Sequence, residues 1–277
     1  MPDQPSEQPT DPSQVDPGSS EATGVAELMA RLPGEYEPMM GDDIDPERLH
    51  AVTKRLRAAS KTGDLSPRRA ALRELADSTR ELIDRLVATD APDEVILVAA
   101  AEVQAAASRF APYRQGSLYG FSEMATAGGQ SDPLYDHSPL IGIANPLAPP
   151  MDIREQDGIV VATAVFGQAY EGPPGHVHGG YVAAAFDELL GATQALSGAP
   201  GMTGTLTIRY ESPTPLHTEL RYEGRLAGVE RRKIFTEGTC FAGDRVTATA
   251  KGTFISMKPG QFLDLLAERE AAQEQQR

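Results

Sequence analysis

The chain has 277 residues and a formal net charge of −15, long enough for one good domain with appendages or for two small domains. Residues 1–47 hold twelve acidic side chains against Arg31 alone, so −11 of that charge lies there, and an acidic chain argues against nucleic acid or an anionic membrane surface as a partner. The single Cys240 rules out an internal disulfide and fits a reducing compartment; MPDQPSEQPT reads as no signal peptide, and no run approaches the roughly 18 apolar residues of a membrane span, so a cytoplasmic location is expected.

Residues 1–44 are rich in Pro, Asp, Glu, Ser and Gln and read as a disordered acidic tail, because such a composition buries too little apolar surface to offset ordering entropy. Residues 45–110 read as helical. Asp45-Pro46 and Ser66-Pro67 are good N-cap/N1 pairs. Leu49, Val52 and Leu56 line one face of the first helix. Leu72, Leu75, Thr79, Leu82 and Leu86 form a seam of three- and four-residue steps on the second. Ala91-Pro92-Asp93 opens a third, Ala-rich helix ending near Phe110. These helices are expected to serve packing or dimerisation without chemistry. Residues 111–137 begin an irregular connector whose Gly and Pro pairs continue to Pro150.

From Met151 the pattern turns to strands. GIVVATAVFG alternates at Ile159, Val161, Thr163 and Val165; TGTLTIRYE (203–211), TELRYEGRLAG (218–228), RKIFTEGTCFA (232–242) and RVTATAKGTFISM (245–257) follow, with Gly243-Asp244 as a tight turn. Between the first strand and these four lies an apolar helix. An α+β domain is expected over 138–258, an antiparallel sheet wrapped around one long helix, with 259–277 a short C-terminal helix and tail.

The segment GPPGHVHGGYVAAAFDE, Gly172 to Glu188, concentrates the chemistry. His178-Gly179-Gly180 enters the helix, and Asp187 and Glu188 lie two turns inside a run otherwise made of Val, Ala, Phe and Leu. A carboxylate there is costly to bury unless it is used. A helix N-terminus offers free N–H groups and a positive dipole end, suited to polarising a carbonyl and holding an oxyanion. Gly179 or Gly180 lets a substrate approach the backbone closely. Gly179 and Asp187 are eight residues apart, roughly 12 Å along a helix, too far to act on one carbonyl. A complete site therefore needs two antiparallel helices, one from each of two subunits.

The strand order, His178-Gly179-Gly180 with Asp187 nine residues on, Thr203 sixteen further, and Val229–Phe235 (VERRKIF) together resemble the hotdog-fold acyl-CoA thioesterases of the PaaI-like group, and within it the carboxyl-terminal-modulator-type enzymes. The resemblance covers about 138–258. It implies hydrolysis of acyl-CoA to a fatty or other carboxylic acid and free CoA, hence a place in lipid metabolism. It implies a homodimer or dimer of dimers with interfacial sites. It also implies Gly179 N–H as the oxyanion donor, Asp187 as nucleophile or general base, and Thr203 as its assistant. His178 is expected to fix the loop entering the helix. Gly180 is expected to lie against the acyl group, and Arg231, Arg232, Lys233 and, more weakly, Lys258 to grip the phosphates of CoA.

The chain departs from that group at Gly172, six residues before His178, where some members place an Asn that helps hold water. Glu188, about 100° from Asp187 around the helix, is expected to be solvated or salt-bridged. The His176–His178 pair could bind a metal only with a third ligand, and a helix rather than a strand follows, so neither a metal nor any cofactor is expected beyond CoA as part of the substrate. Two other readings remain open: a hydratase or dehydratase of acyl thioesters on the same fold, and a non-catalytic acyl-CoA sensor.

Overall fold

A computed structural model describes residues 67–113, 136–199 and 201–256. The expected tail, the helix after Asp45-Pro46, most of the connector and the C-terminal helix lie outside the described residues. Helix α1 spans Pro67–Val87 and α2 spans Asp93–Ser108. Strands β1 (Asp152–Gln156) and β2 (Ile159–Val165) follow, then α3 (Gly179–Gln194), β3 (Gly201–Tyr210), β4 (Glu219–Glu230), β5 (Lys233–Ala242) and β6 (Arg245–Ser256).

The six strands form one sheet in the order β1-β2-β4-β5-β6-β3, antiparallel throughout. This is the hotdog arrangement: the sheet curves around α3, which buries Val182, Ala185, Phe186, Leu189 and Leu190 against it. Alternation turns Leu220 and Tyr222 of β4, Ile234 and Cys240 of β5, and Ala248, Ala250 and Phe254 of β6 into the core. Small residues let the helix sit low. Gly224 pairs with Gly238, and Gly238 with Ala250, making a shallow trough across three strands. A Cβ on Gly238 would lie 3.1 Å from methyl carbons of both Leu189 and Leu190 and 3.2 Å from the Phe186 ring, so any side chain there presses on the helix's core face.

Three features differ from the sequence reading or lie beyond it. The strand β1, DIREQ, is absent from the periodicity reading; it is a polar edge strand whose one buried side chain, Glu155, accepts a hydrogen bond from Gly158 N–H at 2.8 Å in the turn to β2. In α1 the leucine seam stays open in the single chain: Leu75, Leu82 and Leu86 are exposed, and Ala76 is the buried residue. The helix instead docks through polar anchors. The Arg69 guanidinium donates to both carboxylate oxygens of Asp136, at 2.7 and 2.9 Å. Arg80 donates to the carbonyls of Ala148 (2.9 Å), Ile143 (2.9 Å) and Asn145 (3.1 Å), and the Asp84 carboxylate accepts from Ala169 N–H at 3.0 Å. Thirdly, α3 is not closed in on every side. Its outward face carries Gly180, Tyr181 and Asp187, all exposed.

Helix α2, by contrast, buries none of its residues; Val95, Ile96, Leu97, Val98 and Val103 are all exposed. No described helix is long and apolar enough to cross a membrane.

Candidate active site

The loop before α3 is pinned at several points. His178 N–H donates to the Tyr170 carbonyl at 2.8 Å, and Val177 N–H to Thr214 at 2.8 Å. His178 is the N-cap residue, in extended conformation (φ −59°, ψ 132°), and its Nδ1 accepts the Gly180 N–H at 3.0 Å. The imidazole thus takes one of the helix's orphan donors. The Tyr181 and Val182 N–H groups turn back to the His178 carbonyl, at 2.9 and 3.3 Å. Those two bonds polarise the peptide that carries the Gly179 N–H, and that N–H has no partner among the described residues. Gly180, expected against the acyl group, is exposed at the same helix start, but its donor is occupied by His178.

Gly172 is tightly packed: a Cβ there would lie 2.7 Å from the His178 Cα. A side chain at this position, such as the asparagine of some related enzymes, would displace the loop that delivers His178. The departure seen in the sequence therefore has a steric basis.

Two turns along the same helix, Asp187 is exposed in the single chain. The expectation of a buried, costly carboxylate is thus corrected: with no burial in one subunit there is no desolvation cost to explain. Thr203, at the start of β3, donates from Oγ1 to Asp187 Oδ1 at 2.9 Å. The bond engages the carboxylate through Oδ1 and leaves Oδ2 and the hydroxyl oxygen with acceptor capacity. The β3 ladder breaks register between Thr203 and Thr205. Glu188 is partly buried and accepts a hydrogen bond from Ser138 at 3.1 Å, tying α3 to the segment held by Arg69 and Arg80.

The structure joins Asp187 to Thr203 but leaves Gly179 on the same helix, roughly 12 Å away along its axis. The basic turn falls at the Asp187 end. Lys233 pairs with Ile255, and Ile255 with Met202, the neighbour of Thr203, which sets the turn about 10 Å from Thr203 across two strand spacings. Arg231 (φ 52°) and Lys233 are exposed there, whereas the Arg232 guanidinium is engaged with the Ser256 carbonyl at 3.0 and 3.1 Å, stapling the end of β6. Lys258 lies outside the described residues. His176 Nδ1 lies 2.8 Å from the Pro174 carbonyl. Cys240 is fully buried, and burial raises its thiol pKa, which disfavours the reactive thiolate.

One group at the site escapes the sequence reading. Tyr210, the last residue of β3, donates its hydroxyl to the Gly179 carbonyl at 2.9 Å. No local pattern links positions 31 residues apart; the one signal is an aromatic residue closing an otherwise Thr-rich strand.

A family model described as the thioesterase superfamily matches residues 174–249. The chain is 33% identical over 107 residues to the acyl-coenzyme A thioesterase THEM5 of Homo sapiens, covering 39% of this chain and 41% of that protein. It is 36% identical over 91 residues to the acyl-coenzyme A thioesterase THEM4 of Mus musculus, covering 32% and 39% respectively. It thus spans about two-fifths of the length of these curated relatives. A crystal structure of a thioesterase superfamily protein superposes with a TM-score of 0.60 at 33% identity, covering 66% of this chain and 94% of that one. On that match, which spans nearly all of the solved protein, together with the helix, sheet and loop just described, the chain belongs to the thioesterase superfamily.

Proposed function

We propose that this chain is an acyl-CoA thioesterase, a thioester hydrolase that acts as a homodimer. Each site takes the Gly179 N–H from one subunit and Asp187 with Thr203 from the other. The observation that carries the reading is the outward face of α3: a helix-start N–H with no partner among the described residues on half-buried Gly179 and, two turns on, an exposed Thr-bound carboxylate. Beside that face, β3 is a sheet edge with most of its residues exposed, and an open edge of this length calls for a partner. The bare apolar helix α2 supports the same reading, since a helix apolar on most sides completes its burial elsewhere.

The geometry supports a direct hydrolysis. The thioester carbonyl oxygen accepts from Gly179 N–H. Asp187 takes a proton from a water that Thr203 helps to orient, and the water oxygen bonds to the carbonyl carbon. The oxyanion collapses, the C–S bond breaks, and the CoA sulfur leaves with the proton that Asp187 had taken. Arg231 and Lys233, with Arg232 largely committed to the sheet, offer positive charge to the CoA phosphates. The chemistry needs no metal or redox cofactor. Release of free thiol from a panel of acyl-CoAs tests the reading. Wild type is expected to turn over at least one ester and Asp187→Asn to lose roughly a hundredfold or more in kcat; equal rates for the two proteins would overturn it.

A further inference from the structure

The peptide group between Gly179 and Gly180 is held at both ends by side chains. His178 Nδ1 accepts its N–H at 3.0 Å, and Tyr210 Oη donates to its carbonyl at 2.9 Å. A carbonyl oxygen has two lone pairs, so the tyrosine adds to the helix's own bonding rather than competing with it. A Gly-Gly helix start is otherwise the loosest way to begin a helix, because glycine carries the largest backbone entropy and no side chain to pack. A donor meant to stabilise a transition state, by contrast, must be fixed before the reaction begins.

We propose that Tyr210 is a positioning residue. Its hydroxyl, with the His178 imidazole, clamps the 179–180 peptide plane and so aims the adjacent Gly179 N–H at the substrate carbonyl. The inference rests on the proposed thioesterase site. The clamp joins the catalytic helix to the far end of β3, the strand that supplies Thr203 at its other end. One strand thereby steadies both half-sites of the same subunit, the donor through Tyr210 and the carboxylate through Thr203. The ring also lies against the helix start: a Cβ on Gly179 would sit 3.3 Å from the Tyr210 oxygen and 3.5 Å from a ring carbon. Packing and hydrogen bonding therefore have to be separated.

Tyr210→Phe keeps the ring and deletes the donor; Tyr210→Ala deletes both. Steady-state thiol release on acyl-CoA, with inhibition by free CoA as the binding control, reads the difference. Tyr210→Phe is expected to lower kcat about tenfold, less than the hundredfold or more for loss of an oxyanion donor itself, with KM and CoA inhibition within about twofold. Tyr210→Ala is expected to fall to nearly the same kcat. A Phe variant with wild-type kcat, or one in which KM rises while kcat holds, would overturn the proposal, pointing to packing or to a substrate contact instead. If wild type hydrolyses no acyl-CoA, the thioesterase reading fails but the clamp is still testable by amide hydrogen exchange. Tyr210→Phe should then speed exchange of the Gly180 amide about tenfold or more, and an unchanged rate would refute the clamp.

Discussion

Replacing Gly179 with proline removes one atom group from the proposed machinery and little else. Gly179 is the first residue of α3, the position at which proline is best tolerated, because its missing N–H has no partner within the helix. The preceding residue already has the conformation that proline requires: His178 sits at φ −59° and ψ 132°. The ring's Cβ meets the Tyr210 oxygen at 3.3 Å, a contact that a half-exposed side chain relieves with a small shift. The expected stability change is therefore within about 1 kcal/mol, readable as a small change in Tm. Loss of an oxyanion donor costs about 2.7–4 kcal/mol, or roughly 10²–10³ in kcat. Gly179→Ala, which retains the N–H, separates this effect from crowding and should lose roughly tenfold at most. The assay is thiol release at saturating acyl-CoA, with circular dichroism as the folding control. A folded Gly179→Pro protein working at the wild-type rate would refute the assignment of this N–H.

Further expectations concern the supports of the site. Thr203→Val should lower kcat by about tenfold while leaving Tm nearly unchanged, since Thr203 is exposed and its bond to Asp187 is a surface one; an unaltered kcat would remove it from the mechanism. Arg80→Ala leaves several carbonyls of the 142–148 segment without their donor and should cost about 2–4 kcal/mol, a fall in Tm on the order of 5–10 °C; a change under 1 °C would show that α1 is not anchored there. Gly238→Val drives a branched side chain into Leu189, Leu190 and Phe186 and should destabilise by about 2–3 kcal/mol in urea denaturation. Burial pushes the Tyr170 phenol up to about 12, against the opposing pull of Arg80. The folded state holds it neutral, so its stabilising contribution is complete below pH of about 10 and is lost as pH rises toward 12; denaturation midpoints of wild type and Tyr170→Phe should converge over that interval, and parallel curves would argue against the shift.

The parts of this molecule that could be read in the sequence are those whose signal is local. The β4–β5 and β5–β6 hairpins follow from alternation and the Gly243-Asp244 turn, and α1 and α2 begin at or beside the prolines that mark them. Asp187 and Thr203 are linked in the sequence by the spacing of a resemblance, not by any local pattern. What escaped depends on distant partners. β1 has no apolar alternation because an edge strand needs none. The docking of α1 is not readable from periodicity because its partners are the Asp136 carboxylate and backbone carbonyls some 63–68 residues away. The trough of Gly224, Gly238 and Ala250 forms only once three strands align. Tyr210 and the Ser138–Glu188 bond belong to the same class.

A site divided between two subunits can be rebuilt from two defective chains, so subunit complementation is decisive. Asp187→Asn and Gly179→Pro proteins, each inactive alone, are mixed in equal amounts, allowed to exchange subunits, and checked for heterodimer by a mass-tagged chain. Random exchange makes about half of the dimers mixed. Each mixed dimer has one site with both an intact Gly179 and an intact Asp187, and one with neither. Because roughly 12 Å separates the two groups on one helix, the mixture should recover about a quarter of the wild-type thiol-release rate per subunit. Verified heterodimers with no activity above the separate variants would contradict it.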